Sequence, residues 1–187
     1  MDLRYPIGKF EWKSPANEPE AARGREHYIG VLAQLPANFS DAVDGLSEQQ
    51  LDTPYRPEGW TVRQLVHHVP DSHLNAYVRF KLALTEDQPQ IKTYDEALWA
   101  KLPDSRVTQI ATSLQLLASL HARWVDLLRS MMVSDFGRTL FHPERGILAL
   151  DEMLGLYAWH SLHHTAHITA LRDRMHWHRR AAASHNS

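Results

Sequence analysis

A chain of 187 residues, 43% hydrophobic and 22% charged, has the size and composition of one soluble globular domain that can bury a core without staples. The formal net charge of −2 gives no whole-chain reason to expect nucleic acid as a partner. Cysteine is absent, which excludes disulfides, thiolate ligands and a cysteine nucleophile, so a metal must be held by imidazole and carboxylate.

Residues 1–18 carry Pro6, Gly8 and Pro15 and read as an extended arm, whose Tyr5, Ile7, Phe10 and Trp12 suit packing along the domain surface. Met1-Asp2-Leu3-Arg4-Tyr5-Pro6 lacks the apolar core of a secretory signal, and no run of about 18 apolar residues is present to span a membrane. The expected location is therefore the cytoplasm. A first helix is predicted from about Pro19 to Val43, with Ile29, Leu32, Leu35, Phe39 and Val43 at helical spacing and Gly45 as the stop. Pro36 inside it predicts a kink or break. Ser47 and Gln50 have the spacing of a capping box for one short turn.

Residues 52–60 form a Pro- and Gly-containing loop, after which Thr61 and Gln64 repeat the capping box and open a second helix to about Thr85. Val62, Leu65, Val66, Val69, Ala76 and Phe80 are its buried face, and Pro70 predicts a kink two residues beyond His68, at a cost of about 3 kcal/mol. A second loop over 86–104 holds a short turn near Tyr94–Leu102. The third helix is predicted from Ser105 to Met131, with Val107, Ile110, Leu114, Leu117, Leu120, Trp124, Leu127 and Leu128 as its stripe. Thr139–His142 and Ile147–Leu150 form a small hairpin across Pro143-Glu-Arg-Gly146, and a fourth helix runs from about Leu150 to Met175. Four long amphipathic helices with no strong strand run make an all-α four-helix bundle. Its loops between helices one and two, and two and three, are long enough to cross over. The domain spans residues 1–177, leaving 178–187 as a tail. Of the chain's 13 histidines, His176, His178 and His185 belong to the tail region and read as solvated surface.

The fourth helix contains Trp159-His160-Ser161-Leu162-His163-His164-Thr165-Ala166-His167-Ile168, with four histidines in eight residues. His160 and His164 are four apart, as are His163 and His167, so each pair shares a helix face. In the helical zinc proteases Glu directly follows the first histidine of such a pair; Ser161 follows His160 here, so that chemistry is excluded. At about 100° per residue, Met153, Tyr157, Leu171 and Met175 lie within about 20° of His164, and His160 about 40° away in the same stripe. His167 falls at the stripe's edge and His163 about 100° from its centre, which makes them flanking or surface groups. Two imidazoles in an apolar stripe need partners. They are either separately hydrogen-bonded core histidines or joint ligands of one ion. In the second helix His68 lies nearer the apolar side than His67 and shares a face with Thr61, Gln64, Ser72, Asn75 and Arg79. That face suits either solvent or a wet pocket. Together His68, His160 and His164 would be a three-imidazole site with an open position, the catalytic arrangement for zinc.

Several segments resemble the DinB/YfiT superfamily of metal-binding four-helix proteins, closest to its YfiT-like branch. They are Tyr5–Phe10, Leu51–Arg56, Gly59–His68, Asp71–Lys81, and Gly155–His160 through His167–Ile168, and the resemblance covers about residues 3–177. The family pattern puts one ligand eight residues after the Trp that opens the second helix, which is His68 from Trp60, and two more at an i, i+4 pair that matches His160 and His164. The resemblance implies a divalent ion, zinc or nickel, and a homodimer. Pro70 departs from the Ala expected there in close members. Members are labelled metal-dependent hydrolases, and related proteins transfer low-molecular-weight thiols such as bacillithiol.

Three functions follow. Hydrolysis would use the open position for water or substrate, with His67, Asp71 and His163 as candidate bases. Thiol transfer would bind a substrate thiolate there, with Asn75 and Arg79 gripping an acidic thiol. A non-catalytic, metal-stabilised binding protein is the third.

Overall fold

The computed structural model describes residues 2–177; the predicted tail, with His178 and His185, lies outside the described residues. The architecture is a four-helix bundle with one small hairpin. Its long helices are α1 (Glu18–Val43), α3 (Val62–Thr85), α6 (Ile110–Ser130) and α7 (Leu150–Met175). Short helices α2 (Glu48–Leu51), α4 (Glu96–Trp99) and α5 (Asp104–Val107) occupy the connections. No helix among the described residues is long and apolar enough to cross a membrane.

The helix starts follow from local chemistry. Asn17 caps α1 by accepting from the Glu20 N–H at 3.0 Å, with Pro19 in the first turn. Ser47 and Gln50 close the capping box of α2, and Thr61 and Gln64 that of α3, each box satisfying two otherwise unpaired backbone donors. Gly45 follows α1 at φ +71°, a conformation that favours glycine. Helices α1 and α3 continue through Pro36 and Pro70, so neither proline ends its helix.

The third long helix corrects the expectation. The stretch predicted as one helix from Ser105 is two, because Thr108 and Gln109 are extended, at ψ 144° and 131°. The break leaves the Thr108 carbonyl outside any helix, and the His67 ring bonds it at 3.2 Å. Strand β1 (Thr139–His142) pairs antiparallel with β2 (Gly146–Ala149), one residue earlier than predicted, and Leu150 already belongs to α7. His176, expected in the tail region, ends α7 in the left-handed conformation at φ 55°.

Helix α1 packs on α6 and α7, and α3 packs on the same two helices, so the consecutive long helices α1 and α3 lie diagonally across the bundle. The long 44–61 connection makes that crossing possible. The core divides in two. One cluster holds Leu32, Phe80, Trp124, Leu128 and Met153; the other holds Leu35, Phe39, Leu65, Leu117 and Ile168. On every long helix the chain passes from one cluster to the other: between Leu32 and Leu35, Val69 and Ala76, Leu117 and Trp124, and Tyr157 and Ile168. His73 of α3, His121 of α6 and His160, His163, His164 and His167 of α7 fall in these intervals, while His67 and His68 lie just before Val69. The N-terminal arm lies on α7, with Trp12 against Gly155 and Trp159 Nε1 donating to the Gly8 carbonyl at 3.2 Å.

Candidate metal centre

Helices α3 and α7 bring His68, His160 and His164 together, with one ring nitrogen of each within 4.8 Å of the others. Nε2 of His160 and Nε2 of His164 are 3.1 Å apart. Two ligands at the usual zinc–nitrogen distance of about 2.0–2.1 Å would subtend about 98° at that separation, which a four-coordinate ion accepts. The His68 ring meets the His164 ring edge-on at 76°, centroids 5.0 Å apart, and rests on Trp60 at 4.7 Å. Burial pushes the His68 ring down to about 4. Desolvation, followed by the neighbouring histidines, holds His160 and His164 well below the ordinary imidazole range. All three rings are thus neutral at pH 7 and keep the lone pair that a metal needs. The residues present fit a divalent ion.

His163 and His167 flank the pair, the first of the two placements expected of them. Neither is at the surface: they are 7% and 3% exposed. His163 stacks on Trp159 at 4.3 Å and leans on Tyr5 at 5.9 Å, while His167 packs on Tyr55 at 4.2 Å and bonds the Arg4 carbonyl at 3.3 Å. The N-terminal arm and the loop after α2 cover this side of α7, which helix periodicity alone does not show. His163, His164 and His167 also bring ring nitrogens within 4.8 Å, so His164 belongs to two possible ligand sets. Nδ1 of each of these three rings is buried with no hydrogen-bond partner among the described residues.

A cavity of about 590 Å³ opens onto the histidines. His68, His160, His163, His164 and His167 all line it, together with Arg4, Arg56, Arg79 and Arg145 and with Glu58, Glu96 and Glu144. Of the polar face that His68 shares on α3, Ser72 and Arg79 reach it, Arg79 from a buried position where it donates to the Lys92 carbonyl at 3.2 Å. His67 turns toward α6, bonding Ser113 Oγ at 2.7 Å as well as Thr108, and is absent from the cavity wall. Asp71, pushed up to about 6 by burial and then by Asp104, and Asn75, which donates to the Asp71 carbonyl at 2.9 Å, also lie off the wall.

Sequence reasoning missed His73 and His121, which stand behind His160 at 0% and 1% exposure. A signal existed for His121. It sits four residues after Leu117 and three before Trp124, inside the apolar stripe of its helix, where an imidazole needs a partner.

A family model described as the DinB superfamily matches residues 32–168. A Bacillus cereus strain B4264 protein named "Putative metal-dependent hydrolase" is 53% identical over 176 residues, which is 94% of this chain and 99% of the relative. A Bacillus anthracis strain CDC 684 protein of the same name is 52% identical over the same coverage. The solved structure of YfiT from Bacillus subtilis, described as "a probable metal-dependent hydrolase with an unusual four-helix bundle topology", superposes with a TM-score of 0.89. It is 46% identical, over 95% of this chain and all of the other. By sequence along most of its length, and by its bundle topology, this chain belongs to the DinB superfamily.

Proposed function

We propose that this chain is a cytoplasmic metal-dependent hydrolase whose divalent ion, zinc in the first instance, is held by His68, His160 and His164. The observation that carries the reading is the convergence of three neutral imidazoles from two helices on the wall of one cavity. His163, His164 and His167 are the weaker set, because all three come from one helix and two of the rings are engaged by Trp159 and Tyr55. When bound, an ion in a three-histidine set supplies Lewis acidity and a water acidified to a pKa of about 7.

The chain's own residues would do the rest. His68, His160 and His164 hold neutral lone pairs at fixed separation. Arg79 and Arg145 stand on the wall to receive an anionic group of the substrate. Of the predicted bases only His163 lines the cavity. Burial pushes it down to about 4, so it is a weak acceptor, and Glu58, Glu96 and Glu144 are the wall's alternatives. The same wall favours a second reading, transfer of an acidic low-molecular-weight thiol, since four arginines suit a polyanionic cosubstrate and such a transfer draws its nucleophile from the substrate. A homodimer completes the proposal and is read by light scattering.

Metal content of the wild type, His68→Ala and His167→Ala decides the ligand set. Loss of the ion in His68→Ala with retention in His167→Ala is expected, and the reverse assigns the other triad. An ester, amide and phosphoester panel, run beside bacillithiol with an electrophile on the same metal-loaded sample, separates hydrolysis from transfer. A loaded protein inert in both leaves the non-catalytic binding protein.

A further inference from the structure

We infer that His73 and His121 are positioning residues for His160: they form a one-way hydrogen-bond relay, anchored on a backbone carbonyl, that fixes which nitrogen of His160 faces the metal centre. The inference rests on His160 being a ligand. Its geometry is a continuous chain through the bundle. His164 Nε2 meets His160 Nε2 at 3.1 Å, and His160 Nδ1 meets His73 Nε2 at 3.0 Å. His73 Nδ1 meets His121 Nε2 at 2.9 Å, and His121 Nδ1 meets the Leu32 carbonyl at 2.7 Å.

The end of the chain sets its direction. A carbonyl oxygen only accepts, so His121 must carry its proton on Nδ1. A neutral imidazole has one donor and one acceptor, which leaves His121 Nε2 as a lone pair. His73 must then donate from Nδ1 and accept at Nε2, and His160 must donate from Nδ1. His160 Nε2 is left as a lone pair aimed at His164, as a ligand requires. A second proton on His121 or His73 would put two donors face to face, and burial of both rings opposes the charged form. Hydrogen bonds from a ligating histidine to a further partner fix its tautomer and ring orientation in metal sites.

The anchor is itself prepared by the sequence. In an α-helix the Leu32 carbonyl would accept from the N–H of residue 36, and residue 36 is proline, which has none. Pro36 thereby keeps the carbonyl available to His121. All four long helices meet in this layer, through the Leu32 carbonyl, His73, His121 and His160, between the two apolar clusters. His164 has no such lock. Its Nδ1 lacks a partner among the described residues, so its tautomer is free to change when Nε2 takes a ligand.

The test uses the full chain with ¹⁵N-labelled histidine. In metal-free protein, long-range ¹H–¹⁵N correlation should show His121, His73 and His160 all neutral and protonated on Nδ1, the less populated tautomer of free histidine in water. Zn²⁺ affinity by competition with a chelator should fall about 10–100-fold in His73→Leu. His73→Gln, whose amide oxygen can accept from His160, should restore it to within about threefold of wild type. Thermal melts of the metal-free variants separate this effect from loss of fold. Protonation of His160 on Nε2 in the wild type overturns the relay, as does wild-type affinity in a folded His73→Leu or failure of His73→Gln to exceed His73→Leu. A wild-type protein with the expected tautomers that takes up no Zn²⁺ overturns the metal reading instead.

Discussion

Acidifying the metal-free protein should unfold it between about pH 6.5 and 5. Burial pushes His68 and His121 down to about 4 from an ordinary value of 6.5, and it holds His73, His160 and His164 well below 6.5. Because the folded values lie below the unfolded one, the unfolded chain binds more protons in this window. Stability is therefore full above about pH 6.5 and falls as the pH drops toward 4. At pH 5.5 a ring whose folded value is about 4, as for His68 and His121, costs about 1.3 kcal/mol relative to pH 7.5, and His73, His160 and His164 act in the same direction. A domain's whole stability is about 5–15 kcal/mol. Guanidinium titrations at pH 7.5 and 5.5 in chelator, followed by tryptophan fluorescence, measure the difference. His163 and His167, also pushed down to about 4, act in the same direction. A loss below about 1.5 kcal/mol, little more than one such ring supplies, would refute the picture of a buried neutral histidine layer.

Adjacent histidines should behave oppositely. His67→Ala should keep full metal content and cost about 1–2 kcal/mol through the bonds lost to Ser113 and Thr108, whereas His68→Ala loses the ion. Equal metal loss in both variants would contradict their placement on different faces of α3, His67 toward α6 and His68 toward the cavity. Gly155→Val should lift the N-terminal arm, because even a Cβ there would stand 3.0 Å from Trp12 and 3.4 Å from Tyr28. A loss of about 1–3 kcal/mol with faster proteolysis of residues 2–16 is expected, and a variant more stable than wild type argues against that packing. Arg25→Ala should cost about 2–3 kcal/mol by denaturant titration. It removes the paired bonds of 2.7 and 2.6 Å to Asp151 that tie α1 to the first turn of α7, between side chains only 11% and 18% exposed. A change under about 0.5 kcal/mol would make this an ordinary surface pair.

Local patterns determined most of the elements. Capping boxes at Ser47 and Thr61 placed two helix starts, apolar spacing placed the four long helices, and the Gly146 turn placed the hairpin. These signals act over a few residues, so a single sequence carries them whole. The pairing of His160 with His164 was legible for the same reason, since i and i+4 must share a helix face. Its meeting with His68 was reached through helix phase and family resemblance, and the structure brings the three rings together.

Only the tertiary structure decided what lies on the far side of each ring. The carbonyl freed by the helix break at Thr108 is met by His67, 41 residues away, and the burial of His163 and His167 depends on an arm more than 140 residues away in the chain. Proline 36 reads locally as a kink, yet its consequence is a carbonyl left for His121, 89 residues distant. Periodicity says which way a side chain points but not what it meets. A histidine's chemistry is set by what each of its two nitrogens meets, so the pairing of His160 with His164 was visible in the sequence and the contacts behind it were not.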